Sequence, residues 1–261
     1  MSTISPLTGK VALVTGESAP RLSNTIDDRH SLASMATKMH HEVSAIPITV
    51  AVLFHSGFGH TARQAEAVRR GIERVAGASA LYLTSDEAQG RLDNLELADA
   101  IIFGAPTYMG GASGPFKTFM DSTSKSYARG AWKDKIAAGF TNSASRSGDK
   151  LATLTQFAIF AAQHGMHWIN LGLPPGGNST HGSDQDLNRL GFWLGAAAQS
   201  NADQGPDFAP PESDLLTAEH LGERVARVTQ QFVRGRLPAV KGLWSETSQE
   251  ARHDRVRLRS G

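Results

Sequence analysis

The run Ser56-Gly57-Phe58-Gly59-His60-Thr61 sets two hydroxyls and two glycines immediately before a stretch of helical spacing. Hydroxyls together with backbone N–H groups at a helix start suit a phosphate, although Gly and Ser also build ordinary strand–helix turns. There is no GxxxxGK[ST], so the lysine of a triphosphate site is missing and a monophosphate fits better. A second turn, Gly104 to Gly114, contains Pro106, Thr107, Tyr108, Met109 and Gly110; its glycines let the backbone lie flat against a planar ligand, and its amides can reach ring nitrogens and carbonyls. The third, Asn142-Ser143-Ala144-Ser145-Arg146-Ser147-Gly148, is a similar polar turn. One phosphate loop and two small-residue turns facing a common crevice imply a phosphorylated, flat cofactor.

The elements that must position these turns follow from hydrophobic periodicity. Ile48 to Phe54 is a continuous apolar, β-branched run, as expected of a strand buried on both faces. Thr61 to Val75 has helical spacing, Ser79 to Thr84 and Asp99 to Ala105 read as the second and third strands, and Ser113 with Pro115 opens a helix. Phe116, Phe119, Met120 and Tyr127 are expected on the inner stripe of that helix. Ile136 to Asn142 is the fourth strand, Leu151 to Gly165 a helix with its stop, His167 to Leu171 the fifth strand, and a last helix follows Thr217. Strands alternating with helices specify an α/β fold: a doubly wound, five-stranded parallel sheet with helices on both faces. Ligands of such sheets bind beyond the carboxyl ends of the strands, where the three turns lie.

The ends of the chain differ from its middle. Residues 1–45 are expected to be an extension, residues 46–235 the domain, and residues 236–261 a basic tail. Within the extension, Leu7 to Gly16 imitates the opening strand of a short-chain dehydrogenase. Pro20 stands where a further glycine would be needed, and no strand–helix unit follows, so no dinucleotide site is expected there. The 261 residues carry a formal net charge of +1, which provides no global field to attract nucleic acid. The longest apolar runs fall well short of the roughly 18 residues of a membrane span, so a cytoplasmic protein is expected. The absence of cysteine removes disulfides, thiol nucleophiles, Cys-ligated zinc and cysteine-held iron–sulfur clusters. His164, His167, His181 and Asp184 do not form a convincing metal set, because His164 closes a helix where His167 begins a strand.

Ser56 to Thr61, the seventeen residues from Ala105 to Asp121, the polar turn from Asn142 and Gln163-His164-Gly165-Met166 together resemble the tryptophan-repressor-binding-protein-like NAD(P)H:quinone oxidoreductases of the flavodoxin-like FMN proteins. By this resemblance Ser56 to Thr61 hold the FMN phosphate, Thr107, Tyr108 and Met109 line the flavin ring, and Asn142 to Ser147 cover its polar edge. Phe58 falls near the nicotinamide, Tyr127 over the substrate, and Gln163 with His164 at the pocket rim, which makes His164 and Tyr127 the candidate catalytic residues. The chain departs from the family where Ala144, Ser145 and Arg146 replace the small flexible residues of a glycine-rich loop, where Gln163 replaces a histidine, and at Asn188 to Gly195, where the family carries a Gly-rich aromatic segment often supplied by a neighbouring subunit. Arg146 has two readings, a charge for a flavin carbonyl or cofactor phosphate and a solvated side chain. The activity implied is transfer of two electrons from NADH or NADPH through FMN to a quinone-like acceptor, in a homo-oligomer. A flavodoxin-like carrier that does not oxidise a nicotinamide is the alternative, and the net charge of −2 over residues 46–234 argues mildly against the acidic docking face of such a carrier.

Overall fold

The computed structural model describes residues 46–236. The strand-like run Leu7 to Gly16 and the basic tail beyond Arg236 lie outside the described residues. Within them, β1 (Ile48–Phe54), β2 (Ala78–Thr84), β3 (Ala100–Tyr108) and β5 (Ile136–Ser143) form a parallel sheet in the order β2-β1-β3-β5, and the short β4 (Gly111–Ala112) folds back antiparallel on β3. β1 is flanked on both sides, and its alternate residues feed two cores, as the two-residue period of a strand requires. Val50, Val52 and Phe54 pack with α1 (His60–Glu73) and the last helix, whereas Ala51 and Leu53 face the aromatic cluster around Phe103, Phe116 and Trp132 on the other side.

α1 and the last helix approach closely enough that a β-carbon at Gly71 would overlap the Glu219 carbonyl and one at Gly222 would overlap that of Val68. Both glycines are therefore packing residues rather than helix breaks. After β2 come two short helices that the periodicity did not announce, α2 (Ser85–Gln89) and α3 (Leu92–Leu97). The first carries a capping box in which Thr84 and Glu87 each bond the other's backbone N–H.

Three expectations change. The helix after Ser113 ends early: α4 is Gly114–Ser122, and the chain restarts as α5 (Ser124–Ala128). The Thr123 hydroxyl bonds the Met120 carbonyl at 2.7 Å, a local bond that competes with helix continuation. Tyr127 thus leaves the inner stripe and stands half exposed, while Trp132 takes the buried position. The fifth strand is split as well. After α6 (Lys150–Gln163), β6 is only His167–Trp168, paired to Ile136 and Ala137. The chain then leaves the sheet at Gly172 (φ 67°), Pro174 and Pro175, which lack the geometry or the N–H groups to extend a ladder. It returns as β7 (Ala196–Gln199) beside Phe140 to Ser143, so two short strands share the fifth position. Finally, α7 runs Glu212–Arg236, starting directly after Pro210-Pro211 and well before Thr217. No helix among the described residues is long and apolar enough to cross a membrane.

Candidate functional site

The carboxyl ends of β1, β3, β5 and β7 open into a cleft of about 570 Å³, within the range of small-molecule sites. Phe58, His60 and Thr61 line it from the first turn, Pro106 and Tyr108 from the second, Asn142, Ser143 and Ala144 from the third, and residues 200–205 close it.

The first turn is built as a donor cradle. Gly59 sits at φ 87°, a left-handed conformation that a side chain would strain, and its position for a β-carbon lies 2.8 Å from Pro206. That geometry aims the chain into α1. The Ser56 hydroxyl accepts the Ala62 N–H at 3.1 Å, and the Arg63 N–H goes to the Gly59 carbonyl. The N–H groups of Gly57 to Thr61 and the Thr61 hydroxyl have no hydrogen-bond partner among the described residues. Free donors at the start of a fourteen-residue helix are what an anion site needs, without a lysine.

The second turn is a two-residue hairpin loop with Met109 at φ 49° and Gly110 at φ 90°, the signs that a type I′ turn demands. It is held from α6 and the residue that precedes it: Asp149 accepts the Gly110 N–H at 2.8 Å and Gln156 that of Ala112 at 3.0 Å. Below it, Thr141 donates to the Ala105 carbonyl at 2.7 Å, so Thr107 donates to Thr141 and Thr153 to Thr107, each at 2.7 Å. Thr107 is therefore buried support, and Met109 is fully exposed at the tip; neither lines the cleft, contrary to the expectation that both face the ring. Tyr108 does, standing edge-on to Phe58 with 6.4 Å between ring centroids, and partial burial pushes its phenol pKa up. Behind the two turns His55 bonds the Ser113 hydroxyl at 2.8 Å, and burial pulls its pKa down.

The third turn brings only its first residues to the cleft. Asn142 donates to Ser200 at 2.9 Å and Ser143 accepts the Ser200 N–H at 3.1 Å. Ser145, Arg146 and Ser147 stand exposed in the turn outside the lining, and Arg146 is spent on Asp184 at 2.5 Å.

Sequence reasoning missed the segment 200–205. It crosses the first turn, with the His60 imidazole bonded to the Gln204 carbonyl at 2.7 Å. β7, which delivers it, is three alanines and a glutamine, with none of the β-branched residues that mark a strand. The expected aromatic segment Asn188 to Gly195 does not reach the cleft; buried Asn188 instead ties Leu173 and Phe192 together.

Tyr127, Gln163 and His164 line a different cavity, about 820 Å³, between α4, α5 and α6. His164 is buried, stacked on Trp132 at 4.3 Å and edge-on to Tyr127 at 5.8 Å. Because the Thr123 hydroxyl donates to Met120, the His164 Nε2–H donates to Thr123 at 3.0 Å, and Nδ1 has no partner among the described residues. Burial depresses the His164 pKa to about 4.

The profile of the NADPH-dependent FMN reductase family matches residues 29–176, more than half of the chain. The chain belongs to this family. The match begins within the stretch expected to be an extension, in residues outside those described. Flavodoxin FldP of Pseudomonas aeruginosa is 42% identical over 183 residues, covering 69% of this chain and 96% of that protein. An NAD(P)H dehydrogenase (quinone) of Aromatoleum aromaticum is 31% identical over 209 residues, covering 72% and 98%. Among solved structures, a flavodoxin, WrbA-like protein from Agrobacterium tumefaciens is 39% identical with a TM-score of 0.55, covering 71% of this chain and 99% of its own. As in the sequence reading, the fold is flavodoxin-like and the family's cofactor is FMN. The cleft fits it: unpartnered donors stand where a phosphate needs them, Pro106 and Tyr108 offer a flat wall, and Asn142 to Ala144 a polar edge.

Proposed function

We propose that this protein is an FMN-dependent NAD(P)H oxidoreductase that passes two electrons to a quinone-like acceptor. The observation that carries the reading is the cradle of free N–H groups and the Thr61 hydroxyl opening into the same cleft as Tyr108 and Asn142. FMN held there would supply the hydride and two-electron chemistry that links a nicotinamide to an acceptor. The chain's own contribution is placement. Ser56 to Thr61 bind the phosphate, Pro106 and Tyr108 flank the ring, and Asn142, Ser143 and Ala144 meet its polar edge. Phe58, largely exposed beside Tyr108, offers a stacking face at the mouth for nicotinamide or acceptor.

Tyr127, Gln163 and His164 belong to the acceptor side of this reading. They lie around a cavity with exposed Leu151 and Ile159, an apolar face that a second copy of the chain covers in a cytoplasmic homo-oligomer. The test is one preparation. The protein takes up FMN from solution, and NAD(P)H is then consumed only when a quinone is added; sedimentation reports the oligomer. A preparation that binds no FMN overturns the reading. One that binds FMN but reacts only with a protein electron donor selects instead a carrier, the role favoured by the 42% identity to Flavodoxin FldP.

A further inference from the structure

Lys150, the first residue of α6, is fully buried, an unusual place for an ammonium. Three charged groups face it: Asp149 beside it, Asp214 from α7, and Arg189 from the segment between β6 and β7. Neither carboxylate pairs with it. Asp214 is engaged by Arg189 in a bidentate pair at 2.8 Å and also accepts the Gln199 N–H, and Asp149 accepts the Gly110 N–H. The lysine has no ion pair among the described residues and donates to the backbone carbonyl of Ser145.

That bond completes a pattern. Three successive carbonyls of the third turn are each held from the protein side: Ser143 by the Ser200 N–H at 3.1 Å, Ala144 by the Gln199 side chain at 3.3 Å, and Ser145 by Lys150. The N–H groups of Ala144, Ser145, Arg146 and Ser147 make no hydrogen bond among the described residues. With their carbonyls claimed, the backbone of Ala144 and Ser145 has only N–H donors left to offer. The family resemblance places a glycine-rich loop here; this chain has Ala144, Ser145 and Arg146, and it supplies a buried cation beneath them.

We propose that Lys150 is a positioning residue for the cofactor: its ammonium, acting through the Ser145 carbonyl, holds the start of the third turn in the shape that presents the free Ala144 N–H to the flavin's polar edge. The inference rests on the FMN reading above. Burial brings the Lys150 pKa down to about 8, so the ammonium is lost within an accessible range. The two consequences have opposite signs. The folded pKa lies below the unfolded value, so between about pH 8 and 10 the unfolded chain binds the extra proton and the apoprotein becomes more stable as pH rises. Over the same interval the turn loses its charged anchor and FMN affinity falls.

The experiment measures FMN dissociation constants by fluorescence quenching and apoprotein melting from pH 6.5 to 9.5, for the wild type and for Lys150→Met, which keeps the length of the stem. The wild type should lose about tenfold in FMN affinity across this range while its melting point climbs. Lys150→Met should bind FMN about tenfold more weakly at pH 7 and show neither trend. Wild-type affinity that stays flat from pH 7 to 9 overturns the proposal without any variant. So does a Lys150→Met protein that binds like the wild type, or one that only melts lower with its affinity intact. Both of those results leave the FMN reading standing, whereas absence of FMN binding by the wild type removes both.

Discussion

The two cavities of this molecule are made of different material. The cleft at the carboxyl ends of the strands is bounded by turns, and much of its polar character is backbone: unpartnered N–H groups, a left-handed glycine and carbonyls secured from behind, joined by side chains such as Thr61 and Asn142. The larger cavity between α4, α5 and α6 is bounded by side chains, among them Ile159, Leu151, Tyr127 and a histidine whose Nδ1 has no partner among the described residues. Size alone would favour the second. Donor geometry favours the first, because a backbone array held by β1 and α1 is ordered before any ligand arrives and loses little freedom on binding. The family resemblance placed residues of both cavities in one site, and within a single chain they are two.

If the division is real, substitutions in the cleft should cost FMN and those in the helical cavity should not. The largest effect is expected at Gly59. A valine there must adopt φ 87° and displace Pro206, which strains the turn by about 1–2 kcal/mol and turns donors away from the phosphate. Loss of two such charge-assisted bonds corresponds to roughly 100-fold or more in affinity, read by titration with FMN. Thr61→Val keeps the shape of the side chain and removes one free hydroxyl, so about tenfold is expected in the same titration. Tyr127→Ala and Gln163→Ala should leave the FMN dissociation constant within about twofold while changing quinone turnover. An affinity loss in either comparable to that of Thr61→Val would show that the cavities act on the cofactor together.

What the sequence disclosed follows the same line. β1, β3 and β5 were legible because strands buried on both faces need continuous apolar runs, and the first turn because hydroxyls and glycines at a strand–helix junction have few other uses. β7 and the segment 200–205 were not legible. An alanine-rich strand has no β signature of its own, and it forms only because β5 leaves an edge to be filled. Tyr127 was misplaced for a comparable reason: the spacing from Phe116 is helical, but one threonine hydroxyl returning to the Met120 carbonyl ends the helix between them. The Thr84-Ser-Asp-Glu87 capping box was a signal present in the sequence and unused.

The smallest predicted effect concerns the histidine that the resemblance made catalytic. With its pKa near 4, His164 is a neutral imidazole at pH 7, protonated on Nε2 by the geometry of Thr123 and bare on Nδ1. It can accept a hydrogen bond at neutral pH but cannot serve as an imidazolium acid there. The folded pKa lies below the unfolded value, so between pH 6.5 and 4 the unfolded chain takes up the extra proton and the native state loses stability as pH falls. His164→Phe keeps a ring against Trp132 and removes the titration, so the difference in unfolding free energy between it and the wild type should shrink or invert in the variant's favour from pH 7 to pH 4.5. Ring nitrogen resonances in an NMR titration give the direct measure. Resonances that move near pH 6.5 would mean that water reaches the imidazole, and the helical cavity would then be as wet as the cleft.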